Sequence, residues 1–377
     1  MKKRTKILAT LTPVALVLLM ATWVFNDVYL RTAILRTFAK GSWYVTTDND
    51  TIYTMGYYGI RKSVRNGTDF KTLSEQDSFC ENTLIARSAV IRGDVIYVLC
   101  RSYLPGITTL DEDDYNNGAL VVLEKGDLAV KEIIKSDIKY VEGDFEDDKL
   151  VISGLQGFDI YDISNAVSPK LVYSYRYPKR KEFQGMDVYT NDDSCYVAMA
   201  TYGSGFEIWN ITNVDSTYLV RSIPMTDITD GKGNNCKGNM IFDLVVDYPY
   251  IYTTIAPLNG SFGEPNERRG ASIYNIVSNT AKAVEIPKEE WYSVKIGDKE
   301  PTFIEKYNNY IVTNFADKGV ALFKTDNNGN LVFLNTQDVG NNESHVQPIH
   351  VTPEGDVISG NYWWDDIYFS SYFKKLQ

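Results

Sequence analysis

The chain has 377 residues, with 38 Lys or Arg against 49 Asp or Glu, a net charge of −11, two histidines and four cysteines. Seven of the basic residues and one acidic residue precede position 41, so the remainder carries a net charge of −17. A surface this acidic repels nucleic-acid phosphates and anionic headgroups, which excludes nucleic acid as a partner.

In chain order, residues 1–6 carry Lys2, Lys3, Arg4 and Lys6, and Ile7 to Phe25 is a run of nineteen uncharged residues. That length crosses a hydrocarbon core, whereas the apolar region of a cleaved signal peptide has about 7 to 15 residues. No small-x-small cleavage site stands before Asn26, and no Cys follows the run to take a lipid. The expectation is a cytoplasmic tail (1–6), an uncleaved transmembrane signal anchor (7–25) and a juxtamembrane segment (26–40). Four cations ahead of the span exceed Arg31, Arg36 and Lys40 behind it, which Asp27 partly offsets. The positive-inside rule therefore places the rest of this single-pass cell-membrane protein on the extracytoplasmic side. The alternative is a cleaved signal peptide and a secreted product.

From Gly41 onward the composition is steady, so 41–377 reads as one domain. It exceeds the usual size of a single core, a limit that repeats escape because each unit packs only on its neighbours. A polar turn ahead of an apolar strand start recurs at Ile52, Ile96, Leu150, Tyr196, Ile251, Ile311 and Val357, about 51 residues apart. Glycines open a following strand at Gly59, Gly118, Gly157, Gly205, Gly270 and Gly319. Counting back seven residues from the starts places Val45, Ala89, Tyr189, Leu244, Ile304 and His350 in innermost strands. Four strands per unit at this period give an all-β fold, a seven-bladed β-propeller of four-stranded antiparallel blades. The last unit is short of a strand, and Thr32 to Phe38 is expected to supply it, with a plain juxtamembrane stalk as the alternative.

Two units repeat most closely. Gly157 to Ser174 (GFDIYDISNAVSPKLVYS) returns as Gly205 to Ser222 (GFEIWNITNVDSTYLVRS) at an offset of 48 residues. These segments resemble the LVIVD repeat, with weaker echoes at Ile273 to Ile276 and Val320 to Phe323. The resemblance implies a β-propeller in a family of largely exported or surface proteins, without implying an activity.

In a propeller the connections between second and third strands, and those between blades, share one face. The long segments Tyr103 to Asn117, Thr226 to Asn239, Asn259 to Arg269 and Val339 to Gln347 all fall in those classes, which makes that face the candidate binding surface. Tyr362, Trp363, Trp364 and Asp365 belong there, since exposed indoles beside a carboxylate stack on a sugar ring and bond its hydroxyls; blade packing is their other use. Asp111 and Asp113 sit in an acidic run that could offer oxygens to calcium but lacks the spacing of a dedicated loop. No other cofactor is expected. His345 lies in a connecting loop and His350 in an inner strand. Glu142, Asp187 and Asp243 lie near the upper ends of inner strands, where carboxylates from different blades can converge as an acid/base pair. Cys80 and Cys100 both fall at the long-loop face and form a candidate disulfide, whereas Cys195 and Cys236 are too far apart to pair. No nucleophile elbow, P-loop, dinucleotide fingerprint or paired C-x-x-C occurs. The sequence thus points to a non-catalytic module binding protein or glycan, with a glycan-active enzyme or a structural envelope protein as the alternatives.

Overall fold

The computed structural model describes residues 42–56, 58–66, 69–77, 79, 84–102, 118–177, 183–258, 268–292, 301–315, 319–326, 329–337, 346–361, 367–370 and 373. The expected anchor and closing strand lie outside them. Among the described residues no helix is long and apolar enough to cross a membrane.

Seven antiparallel meanders follow one another along the chain. The first comprises β1 (Ser42–Asp48), β2 (Thr51–Gly56), β3 (Gly59–Asn66) and β4 (Asp69–Gln76), and the second β5 (Leu84–Arg92), β6 (Val95–Ser102), β7 (Gly118–Glu124) and β8 (Val130–Ser136). The third is β9 (Lys139–Glu146), β10 (Lys149–Leu155), β11 (Gly157–Asp162) and β12 (Lys170–Arg176). The fourth is β13 (Met186–Asn191), β14 (Ser194–Ala200), β15 (Phe206–Asn210) and β16 (Tyr218–Ile223). Two short strands, β17 (Ile228–Thr229) and β18 (Asn239–Met240), precede the fifth meander of β19 (Leu244–Asp247), β20 (Tyr250–Pro257), β21 (Gly270–Asn275) and β22 (Thr280–Glu285). The sixth is β23 (Ile304–Tyr307), β24 (Tyr310–Asn314), β25 (Val320–Thr325) and β26 (Leu331–Gln337). The last sheet has β27 (Val346–Val351), β28 (Val357–Asn361) and β29 (Ile367–Ser370). The expectation of seven four-stranded blades is therefore corrected: six blades have four strands, and the last unit has three among the described residues. The first strands touch in sequence order, and β27 returns to β1, so the sheets form a ring.

The core is divided among the junctions between sheets. Tyr97 and Leu120 of the second blade pack with Tyr140 and Leu150 of the third, and Val151 and Phe158 of the third with Val197 and Trp209 of the fourth. Each blade buries both faces against its neighbours, which is why second and third strands such as GALVVLE are nearly continuous apolar runs rather than alternating ones.

The glycines that open third strands have one physical cause. A Cβ at Gly59, Gly118, Gly157, Gly205 or Gly270 would lie between 1.8 and 2.2 Å from a backbone carbonyl within two residues of the end of the fourth strand, a contact no side chain tolerates. Fourth strands carry a second shared device. A register shift interrupts β3/β4, β7/β8, β11/β12, β15/β16 and β25/β26, bending each outer edge away from regular pairing. The β21/β22 ladder has no such shift, and there β17 covers the edge by pairing parallel with β22.

Candidate functional site at the axial mouth

First strands line the axis and begin at the long-loop face. Side chains of the first strands and the residues flanking them form a belt around the axis with a hydrogen bond across every junction between neighbouring sheets. Trp43 Nε1 donates to the Ala86 carbonyl, and Ser88 Oγ to the Val141 carbonyl at 2.8 Å. Three carboxylates then repeat one arrangement. Asp144 Oδ2 accepts from Val188 N at 2.9 Å, Asp187 Oδ2 from Val246 N at 2.6 Å, and Asp243 Oδ2 from Ile304 N at 2.9 Å, each reaching the next blade. His350 completes the circuit, with Nδ1 at 3.2 Å from Glu305 Oε1 and Nε2 at 2.9 Å from Thr47 Oγ1.

At the mouth lies a cavity of about 360 Å³. Its wall includes Arg87, Arg101, Glu142 and Asp243, with Trp43 and Tyr44 from the first blade and Tyr202, Phe242 and Phe303 from later ones. Bulges set this wall locally. Pairing skips a residue between Ala86 and Ser88, between Ser42 and Tyr44, and between Tyr140 and Glu142, so Arg87, Trp43 and Val141 are the extra residues. Such an insertion re-aims a side chain without breaking the sheet. Gly185 makes room for Asp243, since a Cβ there would lie 2.0 Å from Asp243 Oδ1, and its N–H donates to the Phe242 carbonyl at 2.7 Å.

Burial and shared negative charge govern the electrostatics. Asp243 is 8% exposed, and burial lifts its pKa to about 7 against the bonds it accepts from Ile304 and Leu244; Glu305 raises it further, while Arg87 lowers it. Burial and then Asp243 hold Glu142 well above the usual carboxylate range, with Arg87 opposing. Asp187 is also raised, by burial and by Asp144, against the bond from Val246. Tyr44 is pushed up by burial and then by Glu142, Glu305 and Asp243. A carboxyl with a pKa near 7 beside a second raised carboxyl can hold or release a proton near neutral pH.

Of the residues singled out from sequence, Glu142 and Asp243 meet at the cavity. Asp187 and His350 belong to the belt, their polar atoms engaged with Val246, Glu305 and Thr47. Cys100 is buried near the end of β6. The Cys195 and Cys236 thiols are free. Tyr362, Trp363, Trp364, Asp365, His345, Asp111, Asp113 and Cys80 lie outside the described residues. Among the described residues no group of three or more His, Cys, Asp or Glu is gathered to hold a metal ion.

Two groups were missed by sequence reasoning. Arg87 and Arg101 had no marker, because the bulge that places Arg87 leaves no trace in the hydrophobic pattern. The second is a pair of buried acids, Asp159 and Glu207, at the 48-residue offset already in hand. Asp159 is 1% exposed and accepts from Tyr140 Oη at 2.7 Å, Arg176 Nη1 at 2.8 Å and Ser174 Oγ. Glu207 accepts from Tyr177 Oη at 2.6 Å and Trp209 Nε1 at 3.0 Å.

No family model matches the chain, and no curated protein matches it by sequence. Solved structures do. The extracellular domain of a proposed one-component system from B. thetaiotaomicron superposes with a TM-score of 0.54 at 13% identity, over 88% of this chain and 38% of that one. A proposed 6-phosphogluconolactonase from Bacteroides fragilis gives 0.51 at 13% identity, over 85% of each chain. BamB from Moraxella catarrhalis gives 0.50 at 11%, over 86% of this chain and 92% of its own. At such identities the likeness carries the fold alone, and the fold is a β-propeller.

Proposed function

We propose that this chain is a non-catalytic binding module of the LVIVD-repeat kind, held on the extracytoplasmic side by its N-terminal apolar run, and that it engages a protein or glycan through its long-loop face. The observation that carries this reading is the cavity at the axial mouth, lined by residues of first strands and the segments leading into them and by Arg101 near the end of β6, the strand that precedes the connection 103–117 in sequence. Function on such a scaffold concentrates in loops around a rigid ring. The test is saturable capture of surface protein or envelope glycan by the full chain. Loss of capture on combined Trp363→Ala and Trp364→Ala supports the reading, and undiminished capture by that variant removes the long-loop face from it. Fractionation with the membrane after alkaline extraction checks the anchor.

A second reading is favoured by one observation, the raised carboxyls Glu142 and Asp243 sharing a cavity wall. Such a pair suits general acid and base work on a glycosidic bond. Turnover of a glycan that Glu142→Gln abolishes while the fold persists would establish it.

A further inference from the structure

The cavity is polarised across the axis. Arg87 of β5 and Arg101 of β6 both belong to the second blade. Asp243 stands at the start of the fifth, three places further round a ring of seven sheets, and so nearly opposite. Glu142 lies between them on the third blade, and Trp43 and Tyr44 contribute aromatic wall. The field of Arg87 reaches both carboxyls, so the charges sense one another across the space.

Above pH 7, where Asp243 is largely ionised, a ligand that is only anionic meets that carboxylate beside Glu142, and one that is only cationic meets two guanidinium groups. Each then suffers a like-charge contact in a partly desolvated space, where such contacts are poorly screened. A ligand carrying both charges a few bonds apart avoids both conflicts. The volume, about 360 Å³, lies at the small end of ligand pockets, which run from about 300 to 1,000 Å³. It suits a compact molecule better than a chain of sugars.

We propose that the axial cavity binds a free α-amino acid, with the carboxylate toward Arg87 and Arg101 and the ammonium toward Asp243 and Glu142. This goes beyond the partner reading above, since it assigns the cavity to a small molecule and leaves the loops to the partner.

The test is calorimetric titration of the detergent-solubilised full chain at pH 8 with L-alanine, propionate, which lacks the ammonium, and ethylamine, which lacks the carboxylate. The expected result is saturable binding of alanine at least tenfold tighter than either analogue. Arg87→Gln should erase the preference over ethylamine, and Glu142→Gln should erase the preference over propionate. Propionate or ethylamine binding as tightly as alanine overturns the proposal, and so does the absence of saturable alanine binding. Galacturonate is titrated in the same way, and its saturable binding in place of alanine overturns the proposal and reassigns the cavity to an acidic sugar. The wild-type comparison decides even if a variant fails to fold. Partner capture is measured on the same preparation. A chain that binds alanine but captures no partner upholds this inference and overturns the function proposed above; a chain that captures a partner but not alanine does the reverse.

Discussion

The junction between the third and fourth blades and the junction that closes the ring are built from different materials. At the first, Phe158 lies 5.3 Å from Trp209 and 6.2 Å from Phe183, Tyr175 lies 4.6 Å from Trp209, and Asp144 bonds the Val188 backbone. At the closing junction the buried described residues are Val45, Ile52 and Ile358, with Phe70 packed beside them, and the polar link is His350 to Thr47. Neighbouring blades are joined along the chain, so their contacts need to overcome little loop-closure entropy. The closing pair joins residues 303 positions apart. The ring is thus strongest within its repeats and most dependent on a few side chains where its ends meet.

The largest effect is expected inside the third blade. Asp159→Ala would leave the Tyr140 hydroxyl and the Arg176 guanidinium without their buried acceptor. Arg176, at 32% side-chain exposure, keeps its pair with Asp137, so the cost is that of the lost bonds to the buried carboxylate, about 3 kcal/mol. Denaturant unfolding should show it as a fall in midpoint. Asp243→Ala tests the carboxylate belt in the same assay. It strands the Leu244 and Ile304 N–H groups, at about 2 to 3 kcal/mol for the pair. An Asp243→Ala variant as stable as wild type would mean that the belt does not hold the blades.

The belt also predicts a pH dependence. Asp243 titrates at about 7 in the folded chain and at about 4 when unfolded, so between those values the native state binds the extra proton. Stability from this group is therefore highest below pH 4 and falls as pH rises to about 7, with Glu142 and Asp187 acting in the same direction. Three units set a ceiling of about 4 kcal/mol, and relaxation of the groups around the cavity leaves about 1 to 2 kcal/mol. Melting temperature against pH checks this, and Glu142→Gln should flatten the slope and raise the melt at pH 8.

Much of the ring was legible in the sequence. All seven expected starts, from Ile52 to Val357, fall in second strands, and Val45, Ala89, Tyr189, Leu244, Ile304 and His350 all lie in first strands. Period and polarity carry that information because each blade must bury both faces at a regular spacing. The strands β17 and β18 were hidden in what reads as a loop, since two-residue strands have no periodicity; β17 serves an edge, which only the assembled sheet reveals. The cavity was half legible. Glu142 lies in the inner strand β9 and Asp243 directly before the inner strand β19, positions that the spacing of the strand starts reaches. Arg87 owes its place to a bulge, and bulges are set by pairing between strands.

At the closing junction His350→Ala removes two side-chain bonds, to Glu305 and Thr47, at about 1 kcal/mol. Equilibrium unfolding should register a smaller loss than for Asp243→Ala, while limited proteolysis should register a larger change, because the variant opens the one seam that no described segment of the chain bridges. Proteolysis no faster than wild type would mean that Val45, Ile52 and Ile358 suffice to keep the ring shut.

The smallest effect belongs to the outer edge. Leu219 is 41% exposed on β16, beside Tyr218 at 56% and Val220 at 44%. Each resembles a core residue by type, and Leu219 matches Leu171 in the twin repeat, so sequence similarity alone would rank it with the packing positions. Its exposure argues otherwise. Leu219→Thr keeps a residue suited to a strand and removes little buried area, so stability should change by less than about 0.5 kcal/mol. A loss beyond about 1 kcal/mol would show that the side chain is covered in solution, and would put this face of the repeat among the junctions that hold the ring.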